Sequence, residues 1–144
     1  MDIAPFVEVR VTQRFGVPAN HVFDAWIDPA QAGLWLFATA SRPATRVEIN
    51  AHAGGSFRFV EKSGGNDIEH AGAYIEIDRP RRLVFTLSEQ DCSRGQYRVS
   101  VEIAPVETGC ELILVHEGVP PEQASRVEGR WTGMLYGLGT LLGR

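Results

Sequence analysis

The chain has 144 residues, the length of one ordinary domain and enough to bury roughly two-thirds of its unfolded surface. Its 44% apolar and 22% charged content is that of a soluble globular chain and excludes general disorder. A net charge of −4 and a pI of about 5.5 argue against nucleic acid as a partner, and no stretch approaches the ~18 apolar residues of a membrane span.

Residues 1–15 mix charges with apolar side chains, so no signal peptide is expected. Within them Val7, Val9, Val11 and Phe15 alternate with Glu8, Arg10, Thr12 and Arg14, the pattern of a half-buried strand. Pro18 is expected to pre-set a helical first turn, and Val22, Phe23, Trp26 and Ile27 follow at helical spacing. Asp28-Pro29 then restarts the chain as a cap plus a first-turn proline, giving a second short helix toward Trp35.

After a loop through Pro43, strands and turns dominate. Val47 and Ile49 lie on a short strand, and Gly54-Gly55 marks a bend or bulge before Phe57 and Phe59. Residues 63–67, Ser-Gly-Gly-Asn-Asp, have the composition of a hairpin loop. Residues 68–77, 82–88, 96–103 and 110–116 read as strands, separated by turns around 78–80, 89–95 and 108–109. Connections this short make an antiparallel meander, because parallel strands would need crossovers. The basic cluster Arg79, Arg81 and Arg82 around Pro80 reads as a solvated turn, since no helix N-terminus follows it.

Pro120-Pro121 opens a long C-terminal helix whose Trp131, Leu135, Leu138 and Leu142 form one apolar stripe. A sheet is the only partner large enough to cover that stripe, and a sheet gripping one helix leaves an apolar space between the layers. The helix also carries Gly129, Gly133, Gly137, Gly139 and Gly143, each costing up to about 1 kcal/mol relative to alanine. Gly129, Gly133 and Gly137 fall opposite the stripe. Two accounts of them stand side by side: tolerated loss in a helix held by its other face, or close approach of the same helix in a homodimer.

The order of these features resembles a known family. Phe15, Pro18, the run Val22-Phe23-Asp24-Ala25-Trp26, Asp28-Pro29 and Trp35 are similar to its opening. Gly54-Gly55-Ser56-Phe57-Arg58 is similar to its double-glycine strand entry. The central hairpin is matched by Gly72 to Ile77 and, beyond Pro80, by Arg82 to Thr86. Leu112 to Gly118 and the Trp131/Leu135/Leu138 helix complete the match. The family is the bacterial relatives of the activator of the ninety-kilodalton heat-shock protein's ATPase, within the START-like (SRPBCC) helix-grip superfamily. Two departures are the glycine-rich terminal helix and Arg130, which separates Gly129 from Trp131.

The resemblance implies an α+β helix-grip fold over residues 1–144, with six to seven antiparallel strands around the terminal helix and two short helices after the first strand. It carries little about function, because the superfamily hosts lipid binders, cyclases and co-chaperone domains.

Chemistry-bearing motifs are sparse. His21, His52, His70 and His116 show no metal-site spacing, so no metal or other cofactor is expected. The serines include no nucleophile elbow, and the glycine pairs lack the lysine and helix of a phosphate loop. Cys92 and Cys110 stand apart from any CxxC or Cys/His cluster, which favours a reducing, cytoplasmic setting.

What remains is aromatic. Trp35, Phe57, Phe59, Phe85, Tyr97 and Trp131 fall on elements that face one another in such a fold, with Leu135 on the helical stripe. Simple core packing explains most of them, and a cavity for a small apolar or aromatic molecule is the functional alternative. His70, Tyr74 and Glu76 share one strand face opposite Ala71, Ala73, Ile75 and Ile77. That apolar opposite side favours turning the polar face to solvent. His116, on a face with Leu112 and Leu114, is the better polar group for a cavity, with Tyr74 beside it. The expected function is non-catalytic binding of such a molecule. The alternatives are a cyclase- or hydrolase-like enzyme using His116 or Glu76, and a co-chaperone-like surface that binds protein.

Overall fold

The computed structural model describes residues 6–37, 46–63, 66–88 and 96–143. The loop expected through Pro43, the pair Gly64-Gly65 and the turn of residues 89–95 with Cys92 lie outside them. Strand β1 (Val7–Phe15) buries Val9, Val11 and Phe15 and exposes Glu8, Arg10, Thr12 and Arg14, as its alternation predicts. Helices α1 (Ala19–Ile27) and α2 (Pro29–Ala32) follow. Then come β2 (Arg46–Ile49), β3 (Ser56–Ser63), β4 (Asn66–Asp78), β5 (Arg82–Leu87), β6 (Tyr97–Val106) and β7 (Gly109–Val119). A single turn of 3₁₀ helix, Pro121–Gln123, leads into α3 (Ala124–Leu141).

The strands form one sheet in the order β1-β7-β6-β5-β4-β3-β2, every neighbour antiparallel. β2 to β7 are therefore the expected meander, and β1 returns to pair with β7. The helices take their places for local reasons. Pro18 stands one residue before α1 in extended conformation, a cap and not the expected first helical residue, and its carbonyl accepts from His21 and Val22. Asp28 caps α2 through a side-chain bond from the Ala30 N–H at 3.0 Å, with Pro29 at the first helical position.

The double glycine is a turn tied to β4. Gly54 has φ of 89°, which only glycine adopts freely. Its N–H bonds to the Tyr74 carbonyl, while the Tyr74 N–H bonds to Gly55. That tie lies beside an irregularity. The β4–β5 register steps between Tyr74, opposite Phe85, and Glu76, opposite Val84, leaving Ile75 as the extra residue of a bulge.

The bulge splits the polar face of β4 that was expected to turn to solvent, and only Glu76 does so. His70 and Tyr74 point inward, each 4% exposed, and Ala71 and Ala73 lie on the other side. Beyond the bulge the alternation changes phase. Ile77 packs on the core, whereas Glu76 is exposed and accepts from Arg82 Nε at 3.1 Å.

The outer face of the sheet is wet and ion-paired. Arg14 meets Glu111, Arg58 meets Glu69, Arg82 meets Glu76 and Glu102, and Arg98 meets Glu117. Exposed pairs of this kind contribute little stability singly. The basic cluster is absorbed in the same way: Arg79 makes two 2.8 Å bonds to the Asp24 carboxylate on α1, and Arg81 meets Asp78. The Arg79 guanidinium holds the Asp24 carboxyl below its ordinary 3.8.

On the inner face, α3 buries Val127, Trp131, Met134, Leu135 and Leu138. Leu142 is half-buried just past its end. Gly129 and Gly133 lie exposed on the opposite side of the helix, with Gly137 half-exposed beside them. No helix among the described residues is long and apolar enough to cross a membrane.

Candidate functional site

The site is built outward from Trp131, which the α3 stripe drives between the layers at 2% exposure. Its ring lies 6.0 Å from Trp26 of α1, 6.0 Å from Phe37 and 6.2 Å from His116 of β7, centroid to centroid. Its Nε1–H donates to His116 Nδ1 at 2.9 Å. An imidazole whose Nδ1 accepts carries its proton on Nε2 when neutral, so this bond fixes the His116 tautomer. Tyr97 from β6 closes on the same imidazole at 4.5 Å, edge to face.

The remaining expected residues join through ring contacts. Trp35, in the turn after α2, meets Trp26 edge-on at 4.7 Å and bonds its own Nε1 to the Ala25 carbonyl at 3.0 Å. Phe57 contacts Phe59, Tyr74 and Phe85 at 6.0, 5.4 and 5.4 Å. Leu135 is fully buried in the same core. All nine residues therefore lie in the layer between sheet and helix, where they also form the core.

Burial has electrostatic consequences at two residues, Tyr74 and Cys110. The Tyr74 hydroxyl is pushed well above its ordinary pKa of 10.0, because losing its proton would place a charge in apolar surroundings. Burial likewise pushes the Cys110 thiol up, as expected of an inert packed cysteine.

Sequence reasoning missed Phe37. It is buried, and its φ of 55° is a left-handed conformation that bulky residues adopt rarely and at a cost. That backbone turns the ring inward. Phe37 stacks on His70 at 4.6 Å with 7° between planes, and meets Phe59 edge-on at 5.3 Å. Its N–H points at Met134 Sδ, 3.1 Å away on α3. The only trace in the sequence is the apolar run Leu34-Trp35-Leu36-Phe37, too long for a solvated turn.

His70 was the other surprise. Its Nε2 lies 3.3 Å from Glu61 Oε1 of β3, and both side chains are mostly shielded. An interior imidazole–carboxylate pair therefore exists, whereas Glu76, the acidic candidate of the enzyme alternative, is on the outer face.

Phe37, Leu87, His116, Val127, Trp131 and Met134, with Arg130 at the rim, line a recess of about 10 Å³, room for about one water. Among the described residues no three histidine, cysteine or acidic side chains converge to hold a metal ion.

A sheet with short helices after its first strand and one terminal helix packed on its inner face, enclosing an aromatic layer with two buried histidines, is a helix-grip domain. The chain belongs to the Activator of Hsp90 ATPase homolog 1-like (AHSA1) family, whose model matches residues 16–143. No functionally curated protein matches it in sequence. Among solved structures it is similar to a protein from Chromobacterium violaceum, with a TM-score of 0.83 and 24% identity over 93% of this chain and 95% of that one. A Nitrosomonas europaea protein gives 0.80 and 19%, covering 95% and 94%. The solution structure of an AHSA1-like protein from Aeromonas hydrophila gives 0.81 and 18%, covering 93% and 90%. At these identities the likeness is one of fold.

Proposed function

We propose that the domain binds one small apolar or aromatic molecule between the inner face of the sheet and α3, with Phe37 as the ring that gives way. Phe37 itself carries the reading. A left-handed backbone at a bulky residue costs on the order of 1–3 kcal/mol, and such strain clusters at sites where it serves function. Here it seats a phenyl ring against His70, beside Phe59 and Trp131, at the wall of a recess of about 10 Å³. A flat ligand taking the place of that ring would inherit its stacking partner and edge contacts. Relief of the backbone would offset part of the cost of expelling the side chain.

In this reading Trp35, Phe57, Phe59, Phe85, Tyr97, Trp131 and Leu135 form the walls, and Tyr74 and His116 supply polarity. No catalysis is assigned. The tautomer of His116 is fixed by Trp131, and Glu76 lies outside the layer. A cyclase- or hydrolase-like activity would instead have to draw on His70 and Glu61.

The test is a titration with N-phenyl-1-naphthylamine, an uncharged fluorescent apolar probe. The wild type should bind one equivalent. Phe37→Ala, with cooperative urea unfolding retained, should bind it about tenfold more tightly or better, because the site no longer has to be vacated first. Equal affinity in the two proteins would place the probe elsewhere and remove the reading.

A further inference from the structure

Three indole N–H groups lie in the core, and the fold satisfies two of them. Trp35 Nε1 donates to the Ala25 carbonyl and Trp131 Nε1 to His116 Nδ1. Trp26 is 1% exposed, and its Nε1 has no hydrogen-bond partner among the described residues. Buried tryptophan N–H groups ordinarily find an acceptor, and one left without is an exception that calls for a cause. The rings packed on Trp26 are Trp35, Phe85 and Trp131, and none brings a strong acceptor. The unmatched donor thus belongs to the same aromatic layer as Phe37, with Trp131 touching both.

We infer that the molecule bound in this layer carries a neutral carbonyl-type acceptor, and that Trp26 Nε1–H reads it. The inference rests on the ligand-binding reading above and adds the chemical class of the ligand: an aromatic or apolar ketone, ester or amide. A carboxylate fits less well, because the rings around Trp26 offer no cation and a buried unpaired charge is far costlier than a buried carbonyl.

The test compares acetylnaphthalene with ethylnaphthalene, substituted at the same ring position. The two differ in little besides the carbonyl. The wild type should bind the ketone about tenfold more tightly, the size of one good buried hydrogen bond. In Trp26→Phe that preference should vanish while the affinity for ethylnaphthalene stays the same. A second readout needs no variant. In a ¹⁵N–¹H spectrum of the wild type, the Trp26 indole resonance should move downfield with the ketone and not with the hydrocarbon.

If both compounds bind one-to-one without preference, or if the preference survives Trp26→Phe, the inference is overturned while the ligand-binding reading stands. A Trp26 resonance that shifts equally with both compounds counts the same way and leaves the donor to a buried water. If neither compound binds, both fall together.

Discussion

Trp131 links the two layers in two ways at once. Its ring fills the space between α3 and the sheet, and its N–H crosses to His116 on β7. Trp131→Ala should therefore destabilise the domain by about 3–5 kcal/mol, the range for truncating a large buried aromatic. A urea midpoint shifted by the equivalent of less than about 1 kcal/mol would mean that the ring is not the link it is taken to be. Tyr74 offers a test by pH. In the unfolded chain its hydroxyl ionises near 10.0, whereas in the folded protein burial holds the proton to higher pH. Above that value the unfolded state binds fewer protons than the folded one, so stability falls as pH rises. The contribution is intact below pH 10.0 and is lost progressively toward the higher folded value. Urea midpoints measured at about pH 9 and about pH 11 should drop more in the wild type than in Tyr74→Phe. Equal drops would show that Tyr74 is accessible and ionises freely.

At the scale of elements, α3 and β4 differ in how much of them was legible. The α3 stripe and the outward glycines follow from helical periodicity alone, and both faces appear where that period puts them. Beyond the adjoining backbone of its own helix, a Cβ at Gly129, Gly133 or Gly137 would meet nothing within 4 Å, so an added methyl has open space. Gly133→Ala should accordingly stabilise the protein by up to about 1 kcal/mol, read as a higher thermal midpoint. A lower midpoint, with an assembly that dissociates in the variant, would instead show that another copy of the helix covers this face. β4 was harder to read. Alternation indicates which residues share a face only while the period of two persists, and the bulge at Ile75 breaks it. Nothing in Gly72-Ala73-Tyr74-Ile75-Glu76-Ile77 signals an extra residue. The reason lies in the partners: Gly54 and Gly55 take the backbone bonds of Tyr74.

For the whole molecule, the meander and the single gripping helix could be read from strand spacing and one apolar stripe, because short connections leave few topologies; the pairing of β1 with β7 came only with the structure. The walls of the candidate site were legible for the same reason, since inward-facing aromatics must meet in the one available layer. Its state of filling was not. Whether a layer is open depends on the summed volume of side chains from seven strands and three helices, and here on one left-handed residue, Phe37, that no pattern announces. The central claim is that this layer is where a small apolar molecule goes. Intermolecular nuclear Overhauser effects with bound acetylnaphthalene test it most directly. The account predicts cross-peaks from the naphthalene protons to Trp131, Phe59 and Leu135, with the Phe37 ring losing its contact to His70. Cross-peaks confined to exposed side chains such as Leu34 or Tyr136, with the Phe37 stack intact, would contradict it.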